Sequence, residues 1–135
     1  MCIRDRGTPQ TMQQNPTYEN VVTELISFFA ERLKQLRALK VHDVIIDVGF
    51  GFGKTLEHNY EILQKLALFK NLDAPILAGV SRKSMLYKLL DITAQEALNA
   101  TTSANTIALL NGANILRVHD VKEAVEAVKI VEAVT

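Results

Sequence analysis

The residues able to do chemistry fall into three short polar clusters, each following an apolar run. In the first, Asp43 to Lys54 (DVIIDVGFGFGK), Asp47 leads into glycines at every second position and then Lys54. The others are Ser81-Arg82-Lys83-Ser84 and Arg117-Val118-His119-Asp120. A carboxylate such as Asp47 can accept two parallel hydrogen bonds from an amino-substituted nitrogen ring. Alternating glycines let the backbone turn sharply and come close to a ligand. Lys54, Arg82, Lys83, Arg117 and His119 on one rim would repel one another, and a phosphate or diphosphate would offset that cost.

Plainer roles compete for the same residues. Asp47 could pair with a neighbouring cation or cap the following helix, Lys54 and Arg82 could be solvated charges, and Asp120 has the spacing of a helix cap with Glu123. His42 and His58 lie outside the strand ends and read as surface residues, and Asn59, Asn99 and Asn105 sit on helices with no evident partner. Gly53-Lys54-Thr55 ends as a phosphate-binding loop does. The first glycine of that pattern would fall at Val48, and Lys54 stands where the last glycine of a dinucleotide fingerprint belongs, so both patterns fail.

The elements that carry these clusters follow from periodicity. Asn15-Pro16 has the form of a helix start, and Val21, Val22, Leu25, Ile26, Phe29, Leu33, Leu36 and Leu39 recur at helical spacing behind it. Residues 44–48 read as a buried strand, Tyr60 to Phe69 as a helix closed by Asn71 and Asp73, and Pro75 to Val80 as a second strand. A short helical piece, Met85 to Leu90, follows. Thr93-Ala94-Gln95-Glu96 then reads as a capping box opening a long helix to Gly112. Asn114 to His119 is a third strand and Val121 to Val134 the last helix. Strands alternating with helices imply a parallel sheet with right-handed crossovers. All strands then point one way, so the three clusters must share the rim at which ligands of barrels and open α/β sheets bind.

Composition narrows the class. The 135 residues are 48% apolar, enough for one domain, and fifteen Lys and Arg balance fifteen Asp and Glu. No overall field draws the chain to nucleic acid or to an anionic membrane, so any anion site is local. The single cysteine, Cys2, suits a reducing compartment, MCIRDR lacks a signal peptide's apolar segment, and no apolar run approaches the roughly 18 residues of a membrane span. A cytoplasmic location is the expectation.

IIDVGFGFGKT, GVSRKS and ILRVHDV, in this order, resemble dihydropteroate synthase, the pterin-binding (β/α)8 barrel family of folate synthesis. The likeness runs from Arg6-Gly7-Thr8-Pro9-Gln10-Thr11-Met12 to the C-terminus. Residues 1–5 do not fit the family pattern, and residues 6–135 read as the C-terminal part of the barrel domain. The implied fold is α/β, a partial (β/α)8 TIM barrel made of the last three strand-helix units and one preceding helix. The family joins a dihydropterin methyl diphosphate to p-aminobenzoate and expels diphosphate, with magnesium. By resemblance, Asp47 binds the pterin, Lys83 contacts the pterin and the p-aminobenzoate region, Arg117 and His119 hold the diphosphate, and Phe52 and Ser84 line the p-aminobenzoate side. The magnesium-linked asparagine belongs to the family's first half. Val48 replaces the family's usual proline after the aspartate, a change in loop stiffness more than in chemistry.

Three strands would leave two open edges, so this chain alone is expected to be inactive and prone to self-associate, while the full-length family forms homodimers through its last helices. Two further readings remain: a non-catalytic half-barrel for binding or folding, and a pterin-dependent methyltransferase. The second has no need to hold a diphosphate, which the Arg82-Lys83 and Arg117-His119 clusters suit.

Overall fold

The computed structural model describes residues 1–3, 20–51 and 53–135. Its elements are β1 (Cys2–Ile3), α1 (Val21–Ala38), β2 (Ile45–Asp47), α2 (Leu56–Gln64), a 3₁₀ helix (Leu66–Leu72), β3 (Ile76–Ala78), α3 (Ser84–Leu90), α4 (Leu98–Leu110), β4 (Ile115–Leu116) and α5 (Val121–Val134). The four strands lie in the order β1-β2-β3-β4, every neighbouring pair parallel. The alternation and strand direction expected from the sequence are therefore present, and the ends of β2, β3 and β4 share one rim. The strand β1 is additional: Cys2 and Ile3 pair with Ile45 and Ile46. Two residues are too few for periodicity to register.

The helix boundaries depart from expectation for local reasons. Asn20, not Asn15, caps α1: it is extended, its side chain accepts from the Thr23 N–H, and its own N–H donates to Glu24 Oε2. Asn15 and Pro16 lie outside the described residues. Leu39 ends the apolar stripe but is exposed, because it is the C-cap of α1. The expected helix from Tyr60 to Phe69 is two elements. Past Lys65 the chain tightens to three residues per turn, which turns Leu66, Phe69 and Leu72, spaced by three, onto one buried face. Thr93 and Glu96 make both capping-box bonds, Glu96 Oε1 accepting from the Thr93 N–H and Thr93 Oγ1 from the Glu96 N–H, but they close a turn ahead of α4, which starts at Leu98. Asp120 precedes α5 without giving it a side-chain cap.

The core lies between the sheet and its helices. Val21, Leu25, Phe29 and Leu33 of α1 pack with Ile46, Ile62, Leu66 and Phe69, and the rings of Phe29 and Phe69 meet edge to face at 6.3 Å. The α4 helix turns Ala100, Ala104 and Ala108 inward together with Thr101 and Asn105. Asn105 Oδ1 is buried there without a hydrogen-bond partner among the described residues. Register is fixed where the sheet meets the site: Ile46 N–H donates to Pro75 O at 2.9 Å, and Arg117 N–H to Ala78 O at 3.1 Å.

Candidate functional site

The glycine loop after β2 is built by its alternation. Gly49, Gly51 and Gly53 have φ of 74°, 89° and 65°, torsions that residues with a Cβ adopt at a cost. The chain therefore reverses repeatedly, burying Phe50 in the core while its carbonyl faces the rim. Asn59, 3% exposed on α2, braces the loop: its Oδ1 accepts from Gly51 N–H at 2.7 Å and its Nδ2 donates to Thr55 O at 2.9 Å. Lys54 is a second brace, donating from Nζ to Gly49 O at 2.8 Å while itself buried. His58 belongs to a capping box in which Nδ1 accepts from Thr55 N–H and Thr55 Oγ1 accepts from His58 N–H.

Asp47 stands at the end of β2, 1% exposed. Its Oδ1 accepts from Gly49 N–H at 2.9 Å, and its Oδ2 accepts from Arg117 Nη1, also at 2.9 Å. Pairing with a neighbouring cation is thus realised. Lys83 reaches from the end of β3 to the glycine loop, its Nζ donating to Phe50 O at 2.6 Å as its stem passes Gly51. His119 is exposed and tied to β3, its N–H donating to Ser81 Oγ at 3.2 Å and its Nδ1 lying 2.8 Å from the same oxygen. Gly79, Ser81, Lys83, Arg117, Val118 and His119 line a cleft of about 130 Å³.

Among the sequence-predicted site residues, Asp47, Lys83, Arg117 and His119 meet on this rim, and Ser84 is the first residue of α3 beside it. Phe52 lies outside the described residues. Arg82 takes a structural part. It has a φ of 54°, donates from Nε and Nη2 to Asp120 at 2.9 and 3.0 Å, and donates from Nη1 to Ala94 O and Gln95 O. One guanidinium thus ties three loops. That hydrogen bond is the main cause holding the Asp120 carboxyl below its ordinary range, assisted by the charges of Arg82 and His119 against some desolvation. The same bond raises Arg82. Asp120 is therefore an ion-pair partner in place of a helix cap. Burial raises the Tyr60 phenol, which donates to Met85 O at 2.6 Å.

Since Arg117 pairs with Asp47, Arg82 with Asp120, and Lys54 and Lys83 with backbone carbonyls, mutual repulsion of the cations does not by itself demand an anion. Among the described residues no three His, Cys, Asp or Glu side chains are grouped to hold a metal ion.

A buried carboxylate beside a glycine loop, with Lys, Arg and His from the next two strand ends, matches a defined class. The family profile described as "pterin binding enzyme" fits residues 1–119, and the chain belongs to that family. Its relatives narrow this to the dihydropteroate synthases. The Escherichia coli K12 dihydropteroate synthase is 43% identical over 130 residues, covering 95% of this chain and 46% of that protein. The Yersinia pestis dihydropteroate synthase, solved with a sulfonamide drug complex, superposes with a TM-score of 0.93 at 40% identity, covering 98% of this chain and 50% of that one. The Thermus thermophilus enzyme in complex with 4-aminobenzoate gives a TM-score of 0.92 at 32% identity, covering 98% and 55%. The chain spans about half the length of the curated relatives it matches. Its fold is the corresponding part of their TIM barrel, four parallel strands with their helices.

Proposed function

We propose that this chain supplies the C-terminal half of a dihydropteroate synthase site, condensing a dihydropterin methyl diphosphate with p-aminobenzoate. The observation that carries the proposal is the meeting of Asp47 and Arg117, 70 residues apart in sequence, at 2.9 Å across the strand ends. A recessed carboxylate beside a cation-lined cleft suits a ligand with N–H donors at one end and phosphate at the other. The Thermus thermophilus relative solved with 4-aminobenzoate and, separately, with 6HMPPP supports the substrate pair.

In this mechanism Asp47 orients the pterin through its amino and ring nitrogens. Arg117 and His119 take the diphosphate, and Lys83 lies between pterin and the p-aminobenzoate side, which Phe52 and Ser84 line. The C–O bond to diphosphate breaks with its electron pair on oxygen, the aniline nitrogen forms the new C–N bond, and that nitrogen then loses a proton. Fixed cations where negative charge gathers lower the barrier without reorganising. Magnesium, which the family resemblance implies, has no ligand set among the described residues, so every step assigned here belongs to the chain's own side chains. Residues 6–135 are read as the C-terminal part of the barrel domain, to whose sheet Cys2 and Ile3 add β1. The balanced charge and lone cysteine support a cytoplasmic location without nucleic-acid or membrane partners. No described helix is long and apolar enough to cross a membrane. The full-length enzyme is read as a homodimer.

A second reading, a half-barrel that binds or folds without turning over, is favoured by the position of β1 and β4 as the edge strands of the sheet among the described residues. Calorimetric titration of a pterin diphosphate against wild type and Asp47→Asn separates the two. Binding that weakens at least about tenfold in Asp47→Asn is expected of the synthase site. Equal affinity removes Asp47 from recognition, and no binding by either protein leaves only the structural role.

A further inference from the structure

Gly79 directly follows β3, yet its φ is not among the positive values found at Gly49, Gly51, Gly53 and Gly112. Backbone torsion therefore gives no reason for glycine there. Space does. A Cβ on Gly79 would lie 2.5 Å from Arg117 Nη2, 3.1 Å from Cζ and 3.2 Å from Nε, and its three nearest neighbours would all be atoms of that one side chain. The sheet order explains why. Arg117 leaves the end of β4 and Asp47 sits at the end of β2, with β3 between them. To make its 2.9 Å bond to Asp47, the guanidinium must pass over the end of β3, bridging two strand spacings of about 4.8 Å each.

We infer that Gly79 is a positioning residue, the bare point of the sheet over which Arg117 lies and without which it does not reach Asp47. The atoms a methyl group would strike are the free end of a flexible side chain and not backbone. The Gly79→Ala chain accordingly folds, with Arg117 driven toward solvent and Asp47 left without its cation. The geometric part stands alone; its consequence for catalysis rests on the proposed role of Arg117 at the diphosphate.

The test is a double-mutant cycle in the 135-residue chain, with Gly79→Ala and Arg117→Ala made singly and together and followed by urea unfolding and by the ¹⁵N–¹H signals of arginine side chains. Gly79→Ala is expected to lower the urea midpoint when Arg117 is present. On the Arg117→Ala background it should leave the midpoint unchanged or slightly raised, since alanine restricts the unfolded chain. The Arg117 Nε–H signal should move toward those of solvent-exposed arginines. An equal midpoint loss in both backgrounds, an unmoved Arg117 signal, or failure of Gly79→Ala to fold would each overturn the inference. With ligands, Gly79→Ala should weaken a pterin diphosphate by about tenfold and bind the uncharged pterin at least as well as wild type does, since the ring no longer has to displace Arg117 from Asp47. Absence of binding to wild type counts against the diphosphate reading alone, while the unfolding cycle decides the role of Gly79.

Discussion

Cutting the Asp47–Arg117 pair from its two ends should give unequal costs. Asp47 is 2% exposed at its side chain and Arg117 is 49% exposed at its own, so the carboxylate lies in protein while about half of the arginine side chain already faces water. Arg117→Ala leaves an almost completely enclosed charge that keeps the Gly49 N–H on Oδ1 but loses its guanidinium partner on Oδ2. Losing a charge-assisted bond to a buried group costs about 1.5–3 kcal/mol, and the pair's exposed half argues for the lower part of that range, about 2 kcal/mol. Asp47→Asn instead removes the buried charge, keeps an oxygen for Gly49 N–H and releases Arg117 into water, for about 1 kcal/mol or less. At a urea m-value of about 2 kcal/mol per molar, the first substitution shifts the midpoint by about 1 M and the second by about half that or less. Urea titration followed by circular dichroism reads both, and the double variant should lie close to Asp47→Asn. An Asp47→Asn shift larger than that of Arg117→Ala would refute the asymmetry and with it the burial on which the site depends.

Two more outcomes follow from neighbouring contacts. Arg82 holds the folded Asp120 carboxyl below its unfolded value, so the pair's contribution is fully present above the unfolded carboxylate range and is lost as pH falls through the lowered value. Thermal melts across that acid range should show a wild-type advantage over Asp120→Asn at neutral pH that closes on acidification; a constant gap would remove the ion pair as its cause. Asn59→Ala deletes that side chain's hydrogen bonds to Gly51 and Thr55 at a site nearly closed to water, costing about 1–3 kcal/mol. Asn59→Asp keeps the acceptor for Gly51 N–H but turns a carboxylate oxygen toward Thr55 O at a nearly closed site, so at neutral pH it should cost at least as much in the same urea titration; a much smaller loss would show that the Nδ2 bond to Thr55 O contributes little.

The parts of the site legible in the sequence are those fixed by chain direction. Asp47, Lys83 and Arg117 each follow an apolar run, and once strands alternate with helices the parallel sheet leaves one rim for all of them. The last helix is legible at both ends because Val121 to Val134 carries an uninterrupted apolar period. Side-chain partnering across loops is not legible, because the closing distances depend on tertiary approach. The Asp120 spacing suits a cap equally well, and only the fold brings Arg82 within 2.9 Å. Lys54 looks like any cation after a glycine loop until that loop folds back on it. Asn59 could have been suspected from its place four residues beyond Thr55, one turn into a helix that opens on a strained loop. The 3₁₀ segment was also available in principle, since Leu66, Phe69 and Leu72 are spaced by three and not by three and four.

The rim's polar groups bond to one another, and this bears on how the proposed ligand is recognised. Asp47 Oδ2 already accepts from Arg117, and Lys83 already donates to Phe50 O. A pterin N–H that takes Oδ2 therefore replaces one donor with another, and affinity for the ring reflects the difference between two good bonds. The guanidinium released in that exchange is the group proposed to hold the diphosphate. Ring and phosphate then need not bind additively: the ring displaces Arg117 from Asp47, and the phosphate gives the displaced charge a new partner. A ligand carrying both groups recovers what each half alone must give up. On this account Asp47 and Arg117 serve recognition as a pair because they lie on strands separated by β3, close enough to bond and far enough apart to take opposite ends of one molecule.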